Sequence, residues 1–436
     1  MPWQWALLLM LSIVCGLMAL GLHVAIAFFV ANIVGSAIFL GFPQGLIALV
    51  RGSMASISNF TLAPIPLFLV MGEVLLQTGL AFKAVAAIDR LITAVPGRLA
   101  VVAIAGGTVF SALSGSTIAT TAMLGNALLP QMLERRYRPT MAMGPIMAIG
   151  GVDMLIPPSA LAVLLGSLAK IPVAELLIGG IIPGLVMSVL FVTYVVVRCW
   201  ITPSLAPRYE AKEYSGRERW MPLVRDVLPL LLIFVVVIGG IFTGIASPTD
   251  SAALGVVMTV VIAMCYRALN LTILISCLRD VAKVTTMILF IIAASLTFSQ
   301  VLAFSGATDG ALDKLMHAQF SPLGAVLLMV VILMVLGCFL DQASMMLLTL
   351  PFFMPLAHAL DIDLVYLGVV YLISMQIGLL TPPFGLLLFV MKGVAPQMPM
   401  RQIYASVTPF VFLTASVLIM VVFYPPLATY LPRVFL

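Results

Sequence analysis

Two short segments, Ile156-Pro157-Pro158-Ser159 and Thr381-Pro382-Pro383-Phe384, place tandem prolines inside runs too apolar for a surface loop. Proline lacks a backbone donor and clashes with the preceding helical turn, so each pair breaks a helix. At bilayer depth a broken helix survives only where its freed backbone groups face protein or line a polar cavity. The breaks are also in register: 382 minus 157 is 225, and for Pro355 and Pro130 the difference is again 225. Proline-interrupted apolar segments at matching positions in two halves of a chain point to a transporter binding site.

The rest of the composition agrees. Soluble domains carry about 25% charged residues; here 8% of 436 residues are charged and 63% are hydrophobic. A water-soluble fold is excluded, and the apolar runs are too continuous for strands that alternate inside and out. The expected fold class is therefore an all-α polytopic membrane protein. The net charge of +5 comes from basic residues in loops, which reads as topology and not as a nucleic-acid surface. Met1–Leu20 lacks a basic start and a small-residue cleavage site, so no cleaved leader is expected. The cysteines Cys15, Cys199, Cys265, Cys277 and Cys338 stand singly, without metal or disulfide spacing, and read as small hydrophobes. No phosphate-binding G-x-x-x-x-G-K-[ST] loop is present, and no organic cofactor is expected. The longest polar stretch, Arg198–Asp226, is too short for a receptor domain, so capture of a dilute solute falls to another polypeptide.

Charge placement orients the chain. Arg198, Arg208, Lys212, Arg217, Arg219 and Arg225 put the central loop in the cytoplasm. Counting back, Leu176–Val197 is one span, Lys170–Glu175 lies outside, and the broken segment 141–169 is a second span. Arg98 and the Glu134–Arg138 cluster then flank 99–131 from the same side, so that stretch enters and leaves on one face. Its centre, Ser111–Thr117, is small and polar, as the tip of a re-entrant hairpin should be. The second half mirrors this: 322–357 lies between acidic flanks, and 341 minus 225 is 116, pairing Asp341 with Ser116. One hairpin from inside and one from outside make an inverted repeat, with five spans and one hairpin per half. The expected organisation is a first repeat over 1–200, a cytoplasmic linker over 201–226, and a second repeat over 227–436 with its broken helix at 364–392. Arg267 to Lys283 reads as a helix lying in the membrane interface, with Gly45–Asn59 its counterpart.

The chemistry should sit where tips and breaks converge. Each break frees carbonyl oxygens and starts a half-helix whose positive end faces the midplane. Sodium takes hard oxygen ligands, and hydroxyls with unwound carbonyls supply them. The candidate sodium ligands are Ser114, Gly115, Ser116, Thr117, Asp341, Gly378 and Thr381, with Thr120 and Ser344 nearby. The candidate substrate residues are Asp153, Pro157, Pro158, Ser159, Pro382 and Pro383. Against this stands the ordinary role of membrane Ser and Thr, which bond a carbonyl one turn back, and of Gly, which permits close packing. Asp341 and Asp153 are different, because a lone carboxylate in apolar surroundings needs a sodium ion or a basic partner. Glu73 reads as structural, and Lys392 as reaching toward the membrane edge.

The chain resembles the large membrane subunit of tripartite ATP-independent periplasmic (TRAP) transporters over nearly its whole length. Its segments Ala63–Phe68, Phe110–Thr120, Leu155–Ser159, Gly179–Gly184, Gly239–Asp250 and Ile377–Pro383 carry the likeness through their order and spacing. The resemblance implies sodium-driven import by an elevator motion in the bacterial inner membrane. It also implies a small membrane subunit and a soluble periplasmic binding protein that delivers a small organic acid. No enzymatic activity is implied. The chain departs from the pattern at Asp153, where the family has glycine, at Gln342-Ala343 after Asp341, and at Ser374-Met-Gln376, where the family has asparagine. A stand-alone organic anion carrier and an intramembrane protease are the competing readings. The protease suffers from having only His23, His317 and His358, all away from midplane positions.

Overall fold

In a computed structural model, residues 2–92, 95–207, 216–317, 321–383 and 385–435 are described, with backbone alone at 111–114, 315 and 316. The described chain is helical throughout. It opens with α1 (Trp3–Ala19), α2 (Val24–Phe39) and α3 (Gln44–Ile57). Next come α4 (Pro64–Gln77), α5 (Leu80–Leu91), α6 (Arg98–Ser114), α7 (Thr117–Glu134) and α8 (Pro139–Gly150). After a 3-10 turn at Gly151–Met154 follow α9 (Ala160–Ala169), α10 (Val173–Gly179) and α11 (Ile181–Ile201). The middle holds α12 (Gly216–Pro222), α13 (Leu228–Phe242) and α14 (Pro248–Cys265). The last part contains α15 (Leu271–Phe304), α16 (Ala307–His317), α17 (Pro322–Gly337), α18 (Gln342–Ala359) and α19 (Leu364–Leu380). It ends with α20 (Leu386–Val394), α21 (Met400–Phe423) and α22 (Pro426–Phe435).

The offset of 225 recurs in the elements themselves. Thr117 and Gln342 each begin a helix, as do Pro139 and Leu364, and both differences are 225. Packing follows the same offset: α6 lies on α8 as α17 lies on α19, and α7 touches α20 as α18 touches α9. Even the turn after each hairpin repeats, with Arg136 and Asp361 both at positive φ. Both Pro-Pro pairs end a helix, since neither α8 with its 3-10 turn nor α19 continues past the prolines.

One local expectation changes. Residues 267–283 do not form a separate interfacial helix: from Leu271 they belong to a single 34-residue helix, α15, capped by the side chain of Asn270. At about 1.5 Å per residue, α15 is about 51 Å long, well beyond a bilayer core of about 30 Å. The corresponding first-half stretch is divided between α3 and α4, where Pro64 and Pro66 restart the chain after Asn59. The expected span 176–197 lies within one helical stretch, 173–201, in which α10 passes into α11 at Gly180, where a Cβ would overlap the carbonyl oxygen of Leu155.

Among the described residues, six helical stretches are long and apolar enough to cross a membrane: 60–77, 173–201, 216–242, 248–265, 271–304 and 400–423. This is a multi-pass membrane protein. The helices that lead into the proline breaks are the most enclosed: α8 is buried from Met141 to Gly150 and α19 from Val365 to Leu380. Where α8 meets α21, a Cβ on Gly144 would overlap the carbonyl oxygen of Ser406. Gly144→Ala should therefore lower stability by about 1–3 kcal/mol through overpacking. Gly239→Ala, with nothing within 4 Å of the added Cβ, should leave it unchanged or slightly raised. Thermal unfolding of the purified protein compares the two; equal melting points contradict the packing.

Candidate functional site

The first hairpin turns at Gly115, whose φ of +57° is a left-handed conformation that favours glycine. A Cβ there would lie 3.5 Å from the amide nitrogen of Ala160 and 3.8 Å from the carbonyl oxygen of Pro158. The hairpin tip thus rests on the first Pro-Pro break and on the start of α9. Ser116 caps α7 by accepting a hydrogen bond from the Ala119 amide (3.4 Å), and Ser159 caps α9 by accepting one from Ala162 (3.2 Å). Each cap satisfies a terminal amide that has no partner inside its own helix.

Beside the tip, the Thr117 hydroxyl donates to the Asp153 carboxylate, at 2.9 Å to Oδ1 and 3.1 Å to Oδ2. Asp153 is 1% exposed. Its remaining donors are its own backbone N–H and that of Met154. Every partner of this carboxylate among the described residues is neutral. The 3-10 turn that carries it is covered from both sides. Thr121 packs on Gly150, and Gln376 of α19 packs on Gly151, where a Cβ would lie 2.6 Å from Gln376 Cγ. Gln376 donates through Nε2 to the Ala148 carbonyl (3.4 Å), while its Oε1 and the Thr121 hydroxyl are buried without a partner among the described residues.

The second half is built differently. Asp341 caps α18, accepting from the amides of Ala343 (3.1 Å) and Ser344 (3.4 Å) and from the Ser344 hydroxyl. It is half-buried, and no basic side chain pairs with it among the described residues. The two donors expected from sequence, a cation or a base, are joined by a third: the positive end of its own helix. Thr381 donates to the Ile377 carbonyl one turn back (2.6 Å), the ordinary role of a helical threonine. Gly378 meets Gly337, where a Cβ would come within 2.6 Å of the facing Cα, so it permits α17 and α19 to touch. Pro157 and Pro158 are buried, whereas Pro382 and Pro383 are exposed. The freed carbonyl of Pro383 accepts from the Tyr404 hydroxyl (3.2 Å).

The structure therefore gathers Gly115, Ser116, Thr117, Asp153, Pro157, Pro158 and Ser159 into one locus. Asp341, Gly378, Thr381, Pro382 and Pro383 belong to the second-half tip and break. The Ser114 side chain lies outside the described residues. Glu73 accepts from Gln77 (2.7 Å), and Lys392 donates to the carbonyls of Pro396 and Met398, so both have local roles. Thr121 and Gln376 were absent from the sequence-based set. The approach of Gln376 to Gly151 spans 225 residues and leaves no local signal in the sequence.

The sequence profile described as "Tripartite ATP-independent periplasmic transporter, DctM component" matches residues 11–427. The C4-dicarboxylate TRAP transporter large permease protein DctM of Pseudomonas aeruginosa is 31% identical over 378 residues, covering 86% of this chain and 87% of that protein. The ectoine/5-hydroxyectoine TRAP transporter large permease protein UehC of Ruegeria pomeroyi is 27% identical, with 95% and 96% covered. Among solved structures, the Alcanivorax borkumensis YdaH transporter superposes with a TM-score of 0.63 at 14% identity, covering 89% and 90% of the two chains. That likeness is one of fold alone.

Removing the Thr117 hydroxyl should destabilise the protein by about 1–3 kcal/mol, because the buried Asp153 loses a donor. Adding Asp153→Asn to Thr117→Val should recover part of that loss, since the uncompensated charge is gone. A double-mutant cycle on melting temperature reads the coupling; strict additivity contradicts it.

Proposed function

Because this chain belongs to the DctM component family of tripartite ATP-independent periplasmic transporters, a permease family and not an enzyme family, we propose that it is the translocating subunit of a sodium-coupled importer of a small organic acid in the bacterial inner membrane. The observation that carries this reading is the seating of the first hairpin tip on the first Pro-Pro break. There, capped helix starts and freed carbonyls meet deep in an apolar protein. The tripartite family implies two partners, a small membrane subunit and a periplasmic substrate-binding protein. The C4-dicarboxylate and ectoine relatives support a small carboxylate as cargo.

In this reading 1–200 and 227–436 are inverted repeats, and 99–131 and 322–357 are re-entrant hairpins that gate opposite faces. Sodium is held around Ser114, Gly115, Ser116 and Thr117 on one side and Asp341, Gly378 and Thr381 on the other. Substrate lies against Asp153, the two proline pairs and Ser159. Hairpins and broken helices move together as an elevator body. The burial of Pro157 and Pro158 beside the exposure of Pro382 and Pro383 fits one end of such a cycle.

Three tests address the reading. In proteoliposomes the chain alone should show little uptake, and its two partners with an inward sodium gradient should restore it. Robust uptake by the isolated chain sinks the tripartite account in favour of a stand-alone carrier. Asp341→Asn should assemble normally, since asparagine also caps helices, yet need more sodium for half-maximal uptake; unchanged sodium dependence removes Asp341 from the ligand set. Cysteines replacing Val95 and Arg138 should label from the cytoplasm, and those replacing Asp309 and Asp361 from outside. Val95 is exposed and suits labelling, whereas the neighbouring Arg98 is buried in an ion pair with Asp89 at 2.9 Å. Opposite labelling within either pair makes that segment an ordinary span.

A further inference from the structure

Asp153 stands in the turn Gly151–Met154, and Gln376 of α19 packs on the first residue of that turn. What they bring there is acceptors. Among the described residues the carboxylate of Asp153 has only neutral partners, and the Oε1 of Gln376 and the hydroxyl of Thr121 are buried with none. A carboxylate out of water without a counter-ion is costly, and an unmet buried acceptor adds to that cost. A cation with N–H donors compensates such a carboxylate and can meet an unpaired acceptor beside it. Close by, the capped start of α9 lies under the same hairpin tip and favours an anion, as helix N-termini do.

We infer that the transported substrate is zwitterionic: a carboxylate that also carries a cationic nitrogen, received by Asp153 and Gln376. An ammonium group has donors and a positive charge, which a carboxylate in neutral company and an unmet amide oxygen both call for. A second carboxylate in the same place would meet Asp153 as a like charge with no basic residue to offset it. The inference rests on the reading of the first Pro-Pro break as part of the substrate site.

The test uses the purified permease with its small subunit in sodium-containing lipid nanodiscs, read by ligand-induced thermal stabilisation. The probes are ectoine and 4-aminobutyrate as zwitterions, and succinate as a dianion of matched length. The wild type should prefer at least one zwitterion to succinate. Asp153→Asn should weaken that zwitterion about tenfold or more while leaving succinate unchanged or improved, and the sodium midpoint should stay where it was. Gln376→Met, which keeps the volume and removes the acceptor, should shift the zwitterion in the same direction and less; it is also the arm that decides if Asp153→Asn fails to fold. The inference is overturned by a wild type that prefers neither zwitterion, by variants that bind it as the wild type does, or by a loss confined to sodium. Ser159→Ala separates the two levels. If it weakens all probes while Asp153→Asn spares the zwitterion, only the charge assignment fails. If it weakens none, the site reading fails as well.

Discussion

An unpaired backbone amide or carbonyl costs several kcal/mol in hydrocarbon, and water is not there to satisfy it. Every unusual feature of this chain answers that constraint. Its helices are interrupted at two hairpin tips and two proline pairs, and at each interruption a neighbour supplies what the helix lost. Ser116, Ser159 and Asp341 cap the helices that restart. Tyr404 meets the carbonyl of Pro383, and Gly115 lets the first tip sit against Pro158 and Ala160. Other helices enclose the segments that lead into the two breaks, α8 from Met141 and α19 from Val365.

Much of this arrangement is legible in the sequence, because proline acts locally and its effect does not depend on tertiary context. The paired breaks and the spacing of 225, which recurs in the helix starts at Thr117 and Gln342, follow from residues that dictate backbone geometry wherever they stand. Composition and hydropathy set the fold class for a similar reason: an apolar solvent leaves few alternatives to helices. What escapes are relations between distant side chains. Thr117 and Asp153 are 36 residues apart, and nothing near either one names the other. Gln376 stood out as an anomaly, but its place over Gly151 comes from the packing of α19 on the 3-10 turn. The expected interfacial helix at 267–283 illustrates the limit of charge patterning. Mixed charges mark a membrane edge, but with no glycine or proline between Leu271 and Phe304 nothing interrupts the helix there.

The candidate ligands divide once their partners are known. Thr381 and Gly378 have structural uses that account for them, a backbone bond and a close helix approach. Asp341 is partly accounted for by its own helix end. Asp153 is not. Its carboxylate is the deepest charge-bearing group in the described protein with only neutral company, and it lies where the two halves of the fold touch. The two breaks differ in the same way: Pro157 and Pro158 are covered, and Pro382 and Pro383 are exposed.

The central claim is that hairpins and broken helices form one body that travels against the remaining helices. Pulsed electron–electron distance measurements between spin labels test it directly. One label pair, at Arg138 and Asp361, lies within that body; a second, at Arg138 and Met264, joins it to α14. In nanodiscs with the partner subunit, the account predicts an unchanged distance within the first pair. For the second pair it predicts two distance populations whose weights shift between sodium-free and sodium-plus-substrate conditions. A single, condition-independent distance for the second pair, or a change confined to the first, would contradict it.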